Sequence, residues 1–263
     1  MSTPIALTIA GSDSGGGAGI QADLKTFHAF GVFGTSAITA ITVQNTLGVS
    51  GVEAVSTDVV RAQIRAVAED LRPAAVKSGM LATAELVRAV AESLREHHLA
   101  PYVLDPVMVA SSGHRLLDED AEQTILAELV PLAALVTPNL DEAAILTGAP
   151  VRNYEEMKRA ALGLVERGAQ AALLKGGHLE AEELVDVLFD GERWYEWRRP
   201  KLATRHTHGT GCTLSAAIAA GLAQGRPLAE AVDDALDFVS HAMRSAPGLG
   251  AGFGPLNHMV VRG

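Results

Sequence analysis

Cysteine is nearly absent from this chain: its 263 residues contain one, Cys212. A single thiol cannot form an internal disulfide, and this usage is typical of a reducing compartment. The start of the chain, Met1–Pro4, lacks the basic residues of a signal peptide and leads directly into an apolar strand. Both features predict a cytoplasmic protein.

Long apolar runs and excess positive charge are also missing. No apolar run approaches the roughly 20 residues that a transmembrane helix needs, so no membrane-spanning segment is expected. The formal net charge is −10, whereas nucleic-acid binding depends on lysine and arginine contacts with phosphate. We therefore expect neither a membrane nor a nucleic acid as partner. An anionic ligand would need local positive groups to overcome this charge.

Aromatic residues make up only 4% of the chain and hydrophobic residues 48%, so small aliphatic side chains build the core. The length suits one α/β domain over residues 1–263. Apolar segments alternate with amphipathic ones, which predicts a mostly parallel sheet with helices on both faces. Strands are predicted at 5–10, 35–43, 75–77, 102–104, 132–136 and 171–174, and helices at 18–30, 57–70, 82–97, 119–128, 140–146, 154–167, 210–223 and 228–245. The segments Leu184–Asp190 and Arg193–Arg198 flank Gly191-Glu192 and predict an antiparallel hairpin at the sheet edge.

The segment around Cys212 carries the most informative chemistry. Gly209, Thr210 and Gly211 precede the cysteine where a loop turns into a small-residue helix. Glycine N–H groups and the positive end of a helix suit a phosphate, and the same position is expected to lower the thiol pKa below about 8.5. An anion cradle beside a proton acceptor is what phosphoryl transfer to an alcohol requires. A tight turn before an inert, buried cysteine is the alternative.

Three further sites follow predicted strands, where ligands of open α/β sheets bind. Asp105 is held extended by the proline after it and suits Mg²⁺. Asn139 and Glu142 lie three residues apart at a helix start, so both can face one site. Lys175 ends a strand before two glycines, a good position for a phosphate-binding cation. Each residue alone could be a cap or turn residue, but the set is more specific than its members.

The glycine-rich loop after the first strand is not a Walker A loop, because no Lys-Ser/Thr follows its glycines. Gly17, Gly19 and Ala22 match a dinucleotide fingerprint, but the acidic residue expected about 20 positions later is missing. Asp23 lies one helical turn past the loop and can point back at a ligand. After the second strand, Gln44 offers a donor and an acceptor that match the N and NH2 edge of a heterocycle. A polar turn is the alternative there.

The chain resembles the hydroxymethylpyrimidine/phosphomethylpyrimidine kinases of thiamine biosynthesis, within the ribokinase-like superfamily. The resemblance runs essentially from end to end and includes several long literal matches. One departure is the tail, where Gly250-Ala251-Gly252-Phe253 replaces a Gly-His-Gly-rich run. The matching segments are Ala10–Asp23, Thr42–Thr46, Lys77–Leu81, Val103–Met108, Thr137–Ala143, Leu174–His178, His206–Ala217 and Gly254–His258.

The resemblance implies a ribokinase-like three-layer sandwich, with a central mostly parallel sheet flanked by helices, and a homodimer. It also implies ATP with Mg²⁺ as cofactors. The reactions would be phosphorylation of 4-amino-5-hydroxymethyl-2-methylpyrimidine and then of its monophosphate. Gln44 and Asp23 would bind the pyrimidine, in a pocket lined by Gly11, Met80 and Val107.

The resemblance also implies roles on the nucleotide side of the site. The residues there would be Asp105 and Glu142 for Mg²⁺ with Asn139, Lys175 for the nucleotide phosphates, and Gly209, Thr210, Gly211 and Cys212 for the anion hole, with Cys212 as base. Three other functions stay open. A pyridoxal-type kinase of the same superfamily would share the ATP chemistry, a pyrimidine sensor would keep the pocket without turnover, and a dinucleotide-dependent oxidoreductase would use the glycine fingerprint.

Overall fold

The computed structural model describes residues 3–108, 117, 119–177 and 183–260. His178, the last residue of one matching segment, lies outside them. Short apolar runs form the strands, most of them almost fully buried. The strands of the described residues are β1 (Ile5–Asp13), β2 (Phe33–Asn45), β3 (Gly48–Ala54), β4 (Ala75–Ser78), β5 (Tyr102–Leu104), β6 (Leu135–Val136), β7 (Ala172–Leu174), β8 (Glu183–Phe189) and β9 (Trp194–Pro200).

The helices begin mostly after small or polar residues, as at Thr83, whose hydroxyl oxygen accepts a hydrogen bond from the N–H of Leu86. They are α1 (Gly19–Ala29), α2 (Thr57–Asp70), α3 (Ala84–Glu96), α4 (Glu119–Thr124), α5 (Leu140–Thr147), α6 (Tyr154–Glu166), α7 (Thr210–Ala223) and α8 (Leu228–Arg244). A π-helical turn, Ile125–Leu129, and a 3-10 turn, Val130–Leu132, continue from α4. None of the helices in these ranges is both long and apolar enough to cross a membrane.

The strands form one sheet in the order β3-β2-β1-β4-β5-β6-β7-β8-β9. The six central strands run parallel to one another; they are β2, β1, β4, β5, β6 and β7. Strands β8 and β9 form the predicted antiparallel hairpin at one edge. The predicted α/β class with a mostly parallel sheet is confirmed. Strand β3 was not predicted from the sequence, and it pairs antiparallel with β2 at the other edge.

Two hydrophobic cores lie on the two faces of the sheet, which gives the predicted three layers. One core joins the sheet to α2, α3, α5 and α6, for example through Ile64 and Met157. The other joins it to α1, α7 and α8, for example through Phe27 and Phe238. Helix α7 is almost entirely buried because its alanines allow close packing against the sheet and α8. The rigid position of α7 fixes the start of that helix beyond the ends of β1 and β5.

Candidate active site

The glycine-rich loop after β1 is folded around the carboxylate of Asp13. Its oxygens accept hydrogen bonds from the backbone N–H groups of Gly15 (2.7 Å), Gly17 (2.9 Å) and Ala18 (2.8 Å). Burial alone would raise the pKa of this carboxyl group. Hydrogen bonds from His208 and these N–H groups outweigh burial and hold the pKa below its usual value. The loop therefore has one ionised, fully engaged carboxylate at its centre.

His208 links this loop to the segment that precedes α7. Its Nε2 atom lies 2.9 Å from Asp13 Oδ2 and 3.3 Å from the side-chain amide of Gln44. The ring also packs against Gly17, where a Cβ atom would lie 2.6 Å from His208 Cδ2. The sequence analysis did not assign this role to His208, although its position directly before Gly209 could have pointed to it. The contacts bring Gln44 and the start of α7 into one site.

The start of α7 is a cradle of backbone N–H groups. Gly209 is its N-cap residue with φ of 82°, a conformation that favours glycine, and a Cβ atom there would collide with the carbonyl oxygen of Gly17. The Thr210 hydroxyl donates to the carbonyl oxygen of Thr207 (2.7 Å), so that side chain serves the turn. At Gly211 a Cβ atom would lie 3.3 Å from Lys175 Nζ. The cradle therefore opens directly onto a lysine ammonium group.

Lys175 follows β7 and lies between two carboxylates. Its Nζ atom is 3.3 Å from Asp105 Oδ1 and 3.8 Å from Glu142 Oε2. Burial favours the neutral amine, but the charges of Asp105 and Glu142 outweigh it and raise the lysine pKa. Ser215 of α7 also donates to Asp105 (3.2 Å). The structure thus brings together the lysine, both predicted metal ligands and the helix start.

Asn139 and Glu142 form a capping box at the start of α5. The Asn139 side chain accepts from the N–H of Glu142 (2.9 Å), and Glu142 accepts from the N–H of Asn139 (2.8 Å). Burial raises the pKa of Glu142 to about 7, with Lys175 opposing this and Asp105 adding to it. The side chain of Asn139 is therefore committed to the helix cap.

These residues fit a magnesium ion. Mg²⁺ is commonly held by one or two carboxylates together with substrate phosphates and water. Asp105 and Glu142 supply two carboxylates around one lysine. No group of three or more His, Cys, Asp or Glu residues within the described part of the chain could hold a metal by itself.

Cys212, the third residue of α7, is half-buried. Burial raises the pKa of its thiol to about 11, although the charge of Lys77 and the N–H of Gly19 act in the opposite direction. The expectation of a lowered thiol pKa at this helix start is therefore wrong. Desolvation, together with the carboxylates of Asp23 and Asp105, exceeds the effect of the helix. The thiol is protonated at neutral pH.

Asp23 is fully buried, contrary to what a direct ligand of the pyrimidine would require. Its carboxylate binds the ammonium group of Lys77 (2.9 and 3.1 Å) and accepts from the Thr8 hydroxyl (2.6 Å). Lys77, at the end of β4, is also fully buried. Sequence reasoning missed this ion pair because its partners are 54 residues apart. Both charges act on Cys212 through space.

The predicted pocket residues lie at the ends of neighbouring strands. Gly11 is packed against Met80, and a Cβ atom on Gly11 would lie 2.9 Å from the Met80 Cε atom. The backbone of Met80 is held by the Thr39 hydroxyl (2.8 Å). Val107 is half-buried, two residues after Asp105. The structure joins Gly11 to Met80 directly, whereas Val107 is placed here only by its position after β5.

The glycine-rich tail packs beside the site. The N–H of Phe253 donates to the carbonyl oxygen of Thr46 (2.8 Å), and Gly250 packs against the Thr46 side chain. The N–H of His208 donates to the carbonyl oxygen of Gly254 (3.2 Å). The tail therefore supports the turn after β2 and the loop before α7.

Known proteins are similar to this chain in sequence and in fold. The family model for phosphomethylpyrimidine kinase matches residues 13–257. A hydroxymethylpyrimidine/phosphomethylpyrimidine kinase of Rhizobium meliloti is 54% identical over 97% of both chains. The structure of a Bacillus subtilis pyridoxal kinase with ADP has a TM-score of 0.91 at 39% identity, over 98% of both chains. A phosphomethylpyrimidine kinase structure from Clostridium difficile has a TM-score of 0.82 at 42% identity, over 90% of this chain and 98% of that one. The chain belongs to the phosphomethylpyrimidine kinase family.

Proposed function

We propose that this chain transfers the γ-phosphoryl group of ATP to 4-amino-5-hydroxymethyl-2-methylpyrimidine and then phosphorylates the monophosphate, for thiamine biosynthesis. Membership of a kinase family makes it a phosphotransferase that uses ATP. The observation that carries the proposal is the meeting of Gly211, Lys175 and Asp105 at the ends of parallel strands. This arrangement offers N–H donors and one cation to a phosphate in a protein of net charge −10.

The N–H groups of Gly209, Gly211 and Cys212 stabilise negative charge on the transferring group. The N–H of Thr210, expected to join them, donates instead to the carbonyl oxygen of Thr207 (3.2 Å). Lys175 contacts the nucleotide phosphates. Asn139 caps the start of α5 on the same side of the site and so positions Glu142. Asp105 and Glu142 would hold Mg²⁺, which supplies charge neutralisation when bound. Burial raises the pKa of Glu142 to about 7, because Lys175, shared with Asp105, does not fully offset the desolvation of this carboxylate, and an incoming cation would stabilise its ionised form.

Cys212 is the base of the first reaction. Its thiolate accepts the proton of the substrate hydroxymethyl group, the freed oxygen attacks the γ-phosphorus, and ADP leaves. Burial raises the thiol pKa to about 11, so only a small fraction of the protein carries the thiolate at neutral pH. Without the ammonium group of Lys77, which favours the thiolate, the pKa would be raised further.

Gln44 contacts the pyrimidine ring in a pocket lined by Gly11, Met80 and Val107. Asp23 contributes by holding Lys77, since its own carboxylate is fully buried and engaged. The three lining residues are small or apolar and Gln44 adds an amide, a combination that suits a methylated aminopyrimidine.

A pyridoxal kinase activity is the second candidate, because solved pyridoxal kinases share this fold at a TM-score of 0.91. The pyridoxine ring also carries a hydroxymethyl group as acceptor. A pyrimidine sensor without turnover would not need Lys175, Glu142 and Cys212 together. An oxidoreductase is disfavoured, since the glycine loop is closed around Asp13 by three N–H groups.

We also propose one kinase domain over residues 1–263, a cytoplasmic location and a homodimer.

Ile41 and Val43 support the dimer, because they lie on one face of β2 near the sheet edge and are 55% and 62% exposed. An apolar patch of this kind favours a symmetric contact between two copies. Light scattering is expected to give twice the subunit mass of 27.4 kDa for the wild type. For the double variant Ile41→Glu, Val43→Glu, it is expected to give the mass of one subunit. A monomeric wild-type protein would contradict the dimer.

The proposed activity is tested by following the products by mass with Mg-ATP and hydroxymethylpyrimidine. We expect the monophosphate first and the diphosphate later. Monophosphate alone would remove the second reaction, and no pyrimidine product would overturn the assignment.

A further inference from the structure

The side-chain amide of Gln44 lies between two polar side chains. One end, the Oε1 position, is 3.1 Å from the hydroxyl oxygen of Thr42, and the other end, the Nε2 position, is 3.3 Å from His208 Nε2. Both neighbours are almost fully buried. The oxygen and nitrogen of an amide have nearly the same shape, so the partners decide which atom lies at which end.

The His208 end of the amide faces a protonated ring nitrogen, which offers no lone pair. The His208 Nε2 atom lies 2.9 Å from the Asp13 carboxylate, which is ionised and can only accept. The proton of that contact must therefore sit on Nε2. A protonated ring nitrogen cannot accept a hydrogen bond, so the atom of Gln44 beside it must be the carbonyl oxygen.

The partner at the Thr42 end is an acceptor. The Thr42 hydroxyl lies 2.9 Å from the carbonyl oxygen of Ser12, and a carbonyl oxygen can only accept. The single hydroxyl proton is thus used there. Towards Gln44 the Thr42 oxygen offers only a lone pair, so the Gln44 atom beside it must be the NH2 group. Both ends lead independently to the same orientation, with the Gln44 oxygen beside His208 and the Gln44 nitrogen beside Thr42. This orientation is the reverse of the atom positions given above.

We propose that Thr42 and His208 are specificity-determining residues that hold the Gln44 amide in one orientation. Asp13 takes part as the group that fixes the proton on His208. This inference rests on the proposed function, in which Gln44 contacts the pyrimidine ring. In this orientation Gln44 keeps one free N–H on the Thr42 side and its oxygen lone pairs on the His208 side, because the Nε2 proton of His208 is used by Asp13.

This fixed order of donor and acceptor selects one kind of ring edge. The 4-aminopyrimidine edge presents an acceptor, N3, beside a donor, the 4-amino group. The 4-oxo analogue presents a donor, N3–H, beside an acceptor, O4, which is the reverse order. A freely rotating glutamine would pair with either edge, whereas a fixed one leaves polar groups unpaired against the 4-oxo ring.

A matched pair of variants separates this role from structural support. Thr42→Ser keeps the hydroxyl group, and Thr42→Val keeps the shape but offers no lone pair. For wild type and Thr42→Ser, we expect kcat/KM to favour the 4-amino compound over its 4-oxo analogue by at least about tenfold, as one lost hydrogen bond implies. For Thr42→Val we expect this preference to fall at least about fivefold, with the KM for ATP unchanged. His208→Gln, which keeps a donor facing Asp13 and Gln44, is expected to retain the preference.

An unchanged preference in Thr42→Val would overturn the proposal. So would an equal loss for both rings together with a raised KM for ATP, because that result indicates a structural defect.

A second measurement does not depend on catalysis. In protein labelled with ¹⁵N-glutamine and without substrate, the Gln44 side-chain NH2 signal is identified by its loss in Gln44→Ala. We expect nuclear Overhauser contacts from these protons to the Thr42 methyl group and none to the His208 ring. Contacts to the His208 ring would refute the orientation. This result stands even if the wild-type protein fails to phosphorylate the pyrimidine, so the two failures are distinguishable.

Discussion

The thiol of Cys212 is the proposed base of the first reaction. The start of a helix favours the thiolate, but burial and two nearby carboxylates disfavour it, and the balance raises the pKa to about 11. Lys77 is the main group that opposes this rise, and Asp23 holds Lys77 in place. A mostly protonated thiol also resists oxidation and modification at neutral pH.

Replacing Cys212 by alanine separates the two phosphorylations. The first acceptor is an alcohol, whose proton needs a base, whereas the second is a phosphate oxygen that is already ionised. We expect Cys212→Ala to lower kcat of the first step about 10²- to 10⁴-fold and of the second by less than about tenfold. Single-turnover assays with each acceptor measure this. An equal loss in both steps would show that Cys212 only positions the substrate.

Alkylation reports the thiol pKa directly, because Cys212 is the only cysteine of the chain. The rate with iodoacetamide follows the thiolate fraction. With a pKa raised to about 11, we expect the rate to keep rising as the pH increases from 7 to 10. Cys212→Ala serves as the blank. A plateau of the rate below pH 8 would be incompatible with the raised pKa.

At this scale the sequence predicted which residues gather but not how they are partnered. The start of α7, Lys175, Asp105 and Glu142 come together because each follows or adjoins a strand end of one parallel sheet. The ion pair between Asp23 and Lys77 has no local signature. It depends on the packing of α1 against β1, the neighbour of β4 in the sheet, which no spacing rule reveals.

The start of α7 is the element that brings the anion cradle to the lysine. At Gly211 a Cβ atom would lie 3.3 Å from Lys175 Nζ and 3.7 Å from Asp105 Oδ2. Lys175 cannot easily move away, because two carboxylates hold it. The position therefore tolerates no side chain without displacing the cation.

Gly211→Ala is accordingly expected to lower kcat about 10- to 100-fold, by moving Lys175 and obstructing the phosphate, with little change in Tm. Gly177→Ala is the matched control, since a Cβ atom there meets no atom of the described residues within 4 Å. Steady-state kinetics and thermal unfolding of both variants provide the test. Similar activities for the two variants would argue against the cradle.

The C-terminal segment is anchored to α7 through a buried histidine. His258 Nε2 lies 2.9 Å from the hydroxyl oxygen of Thr213. Burial, with a smaller effect of the charge of Lys25, lowers the histidine pKa from 6.5 to about 4. The folded protein therefore holds this ring neutral in a range where the unfolded chain protonates it.

This difference makes stability depend on pH. Because the unfolded state binds the proton first, stabilisation by neutral His258 is complete above pH 6.5 and is lost as the pH falls towards 4. The loss is on the order of 1–3 kcal/mol. We expect His258→Gln, which cannot titrate, to lose less unfolding free energy than wild type between pH 7 and 4 in urea titrations. An equal loss in both proteins would contradict the buried neutral ring.

Most elements could be predicted from the sequence because their periodicity and boundaries are clear. Helices 57–70 and 210–223 and strand 102–104 have the predicted bounds. Strand β3 was missed because its two glycines, serine and glutamate resemble a loop, and it is strand only through pairing with β2. The predicted strand 132–136 is shorter, Leu135–Val136, since Pro131 lies in a 3-10 turn before it.

Three positive features of the molecule lie where a nucleotide is expected. The net charge is −10, yet Lys175, Lys77 and the start of α7 lie together at the carboxyl ends of the central strands. Electrostatic preorganisation of this kind stabilises transferring phosphate most effectively in a site shielded from water. The same fold and cation would serve either a pyrimidine or a pyridoxine acceptor, so in the proposed function the residues around Gln44 would select the substrate.

The most direct test of the central claim is a competition in one vessel. The protein is given equal concentrations of hydroxymethylpyrimidine and pyridoxine with limiting Mg-ATP, and all phosphorylated products are followed by mass. We predict that the pyrimidine monophosphate accumulates first and is converted to the diphosphate, with pyridoxine phosphate a minor product. Preferential phosphorylation of pyridoxine, with the pyrimidine left unchanged, would contradict the proposed function.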